Sequence, residues 1–243
     1  MKLTVLGKYG PYPKTGCACS GYLLEAAGKR LLLDCGSGVL ARLQGHCPLE
    51  DLDAIVLTHL HGDHMSDMLV LRYALQFVDV AARWPKGLPV FLPGTPQAVV
   101  EELQATPFFG LDIVAGGDRR VLDGVDLSFF PVRHPVECNA LRVQAEGKCF
   151  VYSGDLNTTP GFAGFAQGAD LLLIDALFAH EDWHEKLPHL SARLAAEVGR
   201  EAGVGRLLLT HMFPGADEND RLREAQAVFP GAEVAQEGQT YHL

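Results

Sequence analysis

The chain has 243 residues, 48% hydrophobic and 21% charged, with a formal net charge of −10. That balance suits one globular core, so a single domain over residues 1–243 is expected; the acidic excess argues against a broad nucleic-acid footprint. No apolar run approaches the ~20 residues that span a bilayer, and the opening Met-Lys-Leu-Thr-Val-Leu-Gly-Lys lacks secretory-leader features, so a cytoplasmic protein without membrane contact is expected.

In chain order, apolar alternation predicts strands at 2–7, 20–27, 30–34, 53–58, 89–92, 124–132, 140–145, 148–153, 170–175 and 206–210. Helical spacing predicts helices at 38–45, 66–82, 95–104, 191–202 and 217–228. After the first strand comes a loop, Tyr9 to Ser20, whose glycines and Ser20 suit phosphate contact, although loop punctuation explains them equally well. Gly28-Lys29 and Gly147-Lys148 each read as a hairpin turn, and the two hairpins with their following strands suggest an internal duplication. Asp34 ends the apolar run Leu31-Leu-Leu-Asp. It reads either as a turn residue or as a carboxylate that orients a neighbouring imidazole.

Thr58-His-Leu-His-Gly-Asp-His64 is the densest chemical signal. Imidazole nitrogens and carboxylate oxygens are ligands of zinc and its borderline-soft neighbours. Histidines two apart on extended chain point the same way, so His59 and His61 are expected to share one ion. Gly62 is expected to turn the backbone sharply and free Asp63 and His64 for a second. Three more ligand-type residues, His134, Asp155 and His211, each follow an apolar run, at the strand ends where an open sheet gathers its functional groups. The six cysteines form no Cys-x-x-Cys pair, and reduced, mostly buried thiols are expected.

His189 precedes the periodic stretch that opens at Ser191. Ser191 is a reasonable N-cap, and the N–H groups after it would favour a phosphate. The segment Ala179 to Leu187 reads either as a lid carrying Trp183 or as a solvated loop.

With these residues quoted, the chain resembles the metallo-β-lactamase fold, and within it the ribonuclease Z-like branch of phosphodiester hydrolases. The resemblance runs from Leu3 past His211. Its His-x-His-x-Asp-His signature is matched by His59, His61, Asp63 and His64, and its other motifs by Asp34, His134, Asp155 and His211. It implies an α/β, four-layer αβ/βα sandwich. It also implies two divalent ions, with zinc as the default and manganese or iron as replacements. His59, His61 and His134 would hold one ion, and Asp63, His64 and His211 the other. Asp155 would bridge them, leaving room for a bridging water. His189-Leu-Ser191 partly matches a His-Ser-Thr-like segment of the branch, which makes His189 the expected proton donor to the leaving group, and a homodimer is implied.

Two divalent ions less Asp63, Asp155 and a bridging hydroxide leave about one positive charge, which fits a small anionic substrate. Two metals roughly 3.5–4 Å apart hold a phosphoryl oxygen and acidify a water. Three readings follow. A phosphodiesterase acting on a cyclic nucleotide or short RNA comes first. A lactone, thioester or β-lactam hydrolase uses the same fold. A tRNA 3′-processing endoribonuclease is the third, against which stands the absence of a long arm between Asp155 and His211. A diiron redox module ranks below these, since the signature carries no Glu.

Overall fold

The computed structural model describes residues 1–243, and its frame starts from two turns. Ala27 and Gly28 have φ of 49° and 76°, and Glu146 and Gly147 have 56° and 71°. Two successive positive φ values make a tight turn whose twist matches that of the strands it joins. The turns sit one residue earlier than the Gly-Lys steps read from sequence. They connect β2 (Gly21–Ala26) to β3 (Lys29–Leu33) and β9 (Asn139–Ala145) to β10 (Lys148–Tyr152).

The first sheet adds β1 (Lys2–Gly7), β4 (Ala54–Val56), β5 (Leu88–Leu92), β6 (Phe109–Ile113) and β14 (Thr240–His242), in the order β14-β1-β2-β3-β4-β5-β6. The second adds β7 (Arg119–Leu122), β8 (Val125–Pro131), β11 (Leu171–Asp175), β12 (Arg206–Thr210) and β13 (Ala232–Val234), in the order β7-β8-β9-β10-β11-β12-β13. Both sheets follow one plan. Pairings up to the hairpin are antiparallel, and those from β3 to β6 and from β10 to β13 are parallel. The duplication suggested by the hairpins is therefore visible as matched topology.

The sheets face each other across a core in which Leu3, Tyr22, Leu33 and Val56 meet Leu127, Leu141, Phe150 and Leu173. Helices cover both outer faces. Parallel strands covered on both faces must be apolar throughout, which is why β11 and β12 read Leu-Leu-Leu-Ile-Asp and Arg-Leu-Leu-Leu-Thr. This is the four-layer αβ/βα sandwich that the resemblance implied.

The expected helix 66–82 is broken into Met68–Ala74, a 3-10 turn Leu75–Phe77 and Val80–Arg83. Val78 is extended, and Asp79 opens a new turn by accepting from the Ala82 N–H at 3.1 Å. β6, β7, β13 and β14 were not expected; they lie at or near sheet edges, and two of them have only three residues each. All six cysteines are free thiols, and only Cys17 is not buried. No helix is long and apolar enough to cross a membrane.

Candidate metal centre

The parallel strands of both sheets end at one edge of the sandwich, and the chain leaving them carries the polar residues. Beyond β4, Thr58 and His59 are buried. His61 is extended (φ −70°, ψ 152°) and leads into a short helix, Gly62–Met65, whose first turn carries Asp63 and His64. The sharp turn expected at Gly62 is thus a helix start that needs no positive φ. His134 follows β8, Asp155 follows β10 and His211 follows β12, the last with φ of 56°.

The structure brings these seven residues together in two sets sharing Asp155. In the first, His61 Nδ1 lies 3.1 Å from His59 Nε2 and 3.1 Å from His134 Nε2, and Asp155 Oδ2 is 3.5 Å from His59 Nε2. In the second, Asp63 Oδ2 is 3.2 Å from His211 Nε2 and 3.6 Å from His64 Nε2. Asp155 reaches both of those imidazoles, with Oδ1 at 3.2 Å from His64 Nε2 and Oδ2 at 3.3 Å from His211 Nε2. A tetrahedron with ligand bonds of about 2.05 Å has edges of about 3.3 Å. The donor pairs given lie near that spacing, while His134 Nε2 and Asp155 Oδ2 are wider apart at 4.0 Å. His64 Nε2 and Asp155 Oδ1 are also buried without a hydrogen-bond partner, and buried polar atoms are seldom left so. The residues fit a pair of small cations.

In the first set, protonation agrees with a ligand role. Burial lowers the pKa of His59, His61 and His134, the last to about 4, so each imidazole is held in its neutral form. Burial would raise the carboxyls of Asp63 and Asp155, but His211 and His64 hold both below the usual range. His64 stands above its ordinary value because Asp155 and Asp34 outweigh burial. The field there is negative, as a cation requires.

Asp34 sets the tautomers behind the centre. It has φ of 55° and is fully buried. Its carboxylate accepts from His64 Nδ1 at 2.7 Å, from Tyr152 OH at 2.8 Å, and from the Thr58 N–H and hydroxyl at 2.8 and 3.0 Å. The Thr58 proton is committed to that carboxylate, so its oxygen must accept from His59 Nδ1, 3.1 Å away. Nδ1 therefore carries a proton on both His59 and His64, and Nε2 is the nitrogen of each that faces the site. One buried carboxylate thus orients an imidazole in each set.

His189 is buried beside the centre, its ring stacked on His211 at 4.7 Å. Its Nδ1 donates to Asp175 Oδ2 at 2.7 Å. Asp175 is held in turn by the N–H groups of Leu156 and Leu177, each at 3.1 Å. Asp175 and Asp155 together lift His189 to about 9, against burial that would lower it.

The two serines read as substrate contacts are both buried. Ser191 is fully buried, and its hydroxyl caps the helix Ala192–Ala202 through the Leu194 N–H and meets His180 Nδ1 at 3.0 Å. Ser20 is fully buried, with a hydroxyl that finds no partner. The segment Ala179 to Leu187, read as either a lid or a solvated loop, is tied down: Asn157 donates to the carbonyls of Glu185 and Leu187, and the Trp183 indole donates to the His189 carbonyl at 3.0 Å.

Sequence reasoning missed Asp175, Thr58, Tyr152 and Gly10. Asp175 ends an apolar strand just as Asp34 follows one, and that parallel was the available signal. Gly10 lies so close to His211 that a Cβ there would stand 1.9 Å from its Nε2.

A family model described as the β-lactamase superfamily domain matches residues 29–212. The chain is 35% identical to a probable metallo-hydrolase, YhfI, of Bacillus subtilis, over 95% of each chain. The crystal structure of that metallo-β-lactamase fold protein gives a TM-score of 0.91 at 31% identity, covering 99% of this chain and 98% of that one. A ribonuclease Z of Bradyrhizobium sp. is 27% identical over 96% of this chain and 97% of its own length. A solved diphosphatase of the PhnP family shares the fold, with a TM-score of 0.79 at 20% identity over 100% and 97% of the two chains.

Proposed function

Because the chain belongs to the β-lactamase superfamily and is a metal-dependent hydrolase of the metallo-β-lactamase fold, we propose that it is a dinuclear phosphodiesterase acting on a small nucleotide. His59, His61 and His134 would hold one divalent ion and Asp63, His64 and His211 the other, with Asp155 between them. Zinc is the ion proposed, since imidazole and carboxylate at this spacing suit it. When bound, such a pair supplies Lewis-acid polarisation of a phosphoryl oxygen and an acidified water as nucleophile.

The observation that carries the reading is the His189–Asp175 pair. This imidazole is not among the proposed ligands of either ion, yet stacks on one of them. Asp175 fixes its Nδ1 proton, so Nε2 is the atom left to give a proton to a leaving group. An alkoxide leaving a phosphodiester needs that proton, and an anionic ester is attracted by a buried cation. Relatives named ribonuclease Z and diphosphatase support phosphorus chemistry. A tRNA substrate is less favoured, because residues 156–210 hold only β11, β12 and the helices Phe162–Phe165 and Ala192–Ala202 with their connections.

The test compares turnover of bis(p-nitrophenyl) phosphate with a panel of lactones, thioesters and β-lactams, using Asp63→Ala as control. The phosphodiester is expected to react and the control to be inactive. Reaction of the carbonyl substrates alone would overturn the assignment.

A further inference from the structure

Tyr12 and Phe213 are large aromatic side chains that face solvent, 51% and 41% exposed. Their rings meet edge to face, with centroids 6.0 Å apart and planes at 83°. Such a pair orients both rings and leaves ring face uncovered. They are also distant in sequence, so the contact is made by the fold.

Both rings hang from chain pressed against the metal centre. The Gly10 N–H donates to the Met212 carbonyl at 3.2 Å, and the Met212 N–H to the Lys8 carbonyl at 2.8 Å. Only hydrogen stands where a Gly10 side chain would run into the His211 imidazole. Tyr12 is two residues beyond Gly10, and Phe213 two beyond His211. Two residues span at most about 7 Å, so both rings start within that reach of the His211 side. The loop carrying Tyr12 is anchored: the Ala18 N–H donates to Glu237 Oε1 at 3.0 Å, and the Arg42 guanidinium donates to the Gly16 carbonyl. An anchored aromatic pair at the rim of a site that takes a phosphate is placed to hold the rest of a nucleotide.

We propose that Tyr12 and Phe213 form a stacking subsite for the nucleobase of the substrate, whose phosphate lies on the Asp63, His64 and His211 side. The inference rests on the nucleotide reading above for the identity of the acid group. It adds which side of the centre the base occupies and which residues favour a nucleotide over a plain phosphate ester. Stacking on an aromatic side chain changes affinity by about 5- to 150-fold per base and tolerates any base.

The experiment is calorimetric binding of adenosine 5′-monophosphate and of ribose 5-phosphate to the metal-loaded protein, its Tyr12→Ala and Phe213→Ala variants, and Phe213→Tyr. The wild type is expected to bind the adenosine compound about 5-fold or more tightly than ribose 5-phosphate. Each alanine variant should lose most of that margin with ribose 5-phosphate binding unchanged, and Phe213→Tyr should keep it. Equal affinities in the wild type, or a margin that survives both alanine changes, would overturn the subsite. A ring-dependent margin in a protein that hydrolyses no phosphodiester would uphold the subsite and remove only the phosphodiesterase assignment.

Discussion

His189 gives its Nδ1 proton to Asp175 across 2.7 Å, and both side chains are buried. The carboxylate comes from the end of a second-sheet strand, and the imidazole from the loop that leads into the helix Ala192–Ala202. Nδ1 is thereby committed, and Nε2 is the nitrogen left free to act.

Asp175→Asn should therefore lower kcat by roughly 10²-fold, the low end of what a positioned proton donor contributes. The amide no longer fixes the Nδ1 proton. Metal content should stay at the wild-type value, since the residue lies outside both proposed ligand triads. Steady-state kinetics with bis(p-nitrophenyl) phosphate, beside elemental analysis, checks both halves.

Gly10→Ala should cost metal affinity. A methyl group 1.9 Å from His211 Nε2 forces the ring or the loop to move. We expect at least a tenfold weaker hold on one ion, with circular dichroism unchanged. Titration of the apoprotein with zinc reads the first, and a variant with two wild-type affinities would refute the close approach.

Tyr152→Phe removes one of the hydrogen bonds donated to the buried Asp34 carboxylate. A bond to a charged group is worth about 1.5–3 kcal/mol, and urea unfolding should show a loss in that range. Asp34→Asn goes further, because it disturbs His64 directly and His59 through Thr58. It should weaken metal binding about 10- to 100-fold.

Lys8 and Glu218 supply a test of pH dependence away from the centre. Lys8 Nζ is nearly buried and pairs with Glu218 Oε2 at 2.7 Å, while Tyr9 OH donates to Oε1 at 2.7 Å. Burial would raise the Glu218 carboxyl, but these two partners hold it below its usual value. A depressed carboxyl contributes stability above its unfolded pKa and loses it as pH falls through the folded one. Glu218→Gln should thus cost about 1.5–3 kcal/mol at pH 7, where the Lys8 ammonium loses its charged hydrogen-bond partner. The gap from wild type should shrink as pH drops below about 4.3, the ordinary Glu value. Urea titrations at pH 7 and at acid pH measure it.

Removing metal should destabilise the whole chain. Each ion present at about 1,000 times its dissociation constant adds about 4 kcal/mol. For a chain of this size that is roughly 8–16 °C in Tm. Scanning calorimetry with and without chelator gives the shift, and an unchanged Tm would contradict coupling between the site and the fold.

Much of this architecture was legible in the sequence, because strand ends and ligands coincide. His59 to His64, His134, Asp155 and His211 each follow an apolar run, and spacing marks them. Asp175 was hidden because its strand reads as plain core and its partner lies in a loop. Ser191 looked available because capping is a local signal, whereas its contact with His180 is tertiary. The strands β6, β7, β13 and β14 carry little apolar alternation, since strands near a sheet's edge need less burial. The long helix failed at Asp79, where a side-chain cap outcompeted helical periodicity.

The shared pairing plan of the two sheets divides the donors between them. His59 and His61 leave the first sheet and wait for His134 from the second; Asp63 and His64 wait for His211, and Asp155 completes both sets. Neither half alone offers a full coordination shell. An ion held by either set would thus be a rivet through two plates, and its slow escape would report that the plates have closed. During synthesis the nascent first sheet can do no more than loosely attract a cation, so tight capture is reserved for a chain that has emerged past His211.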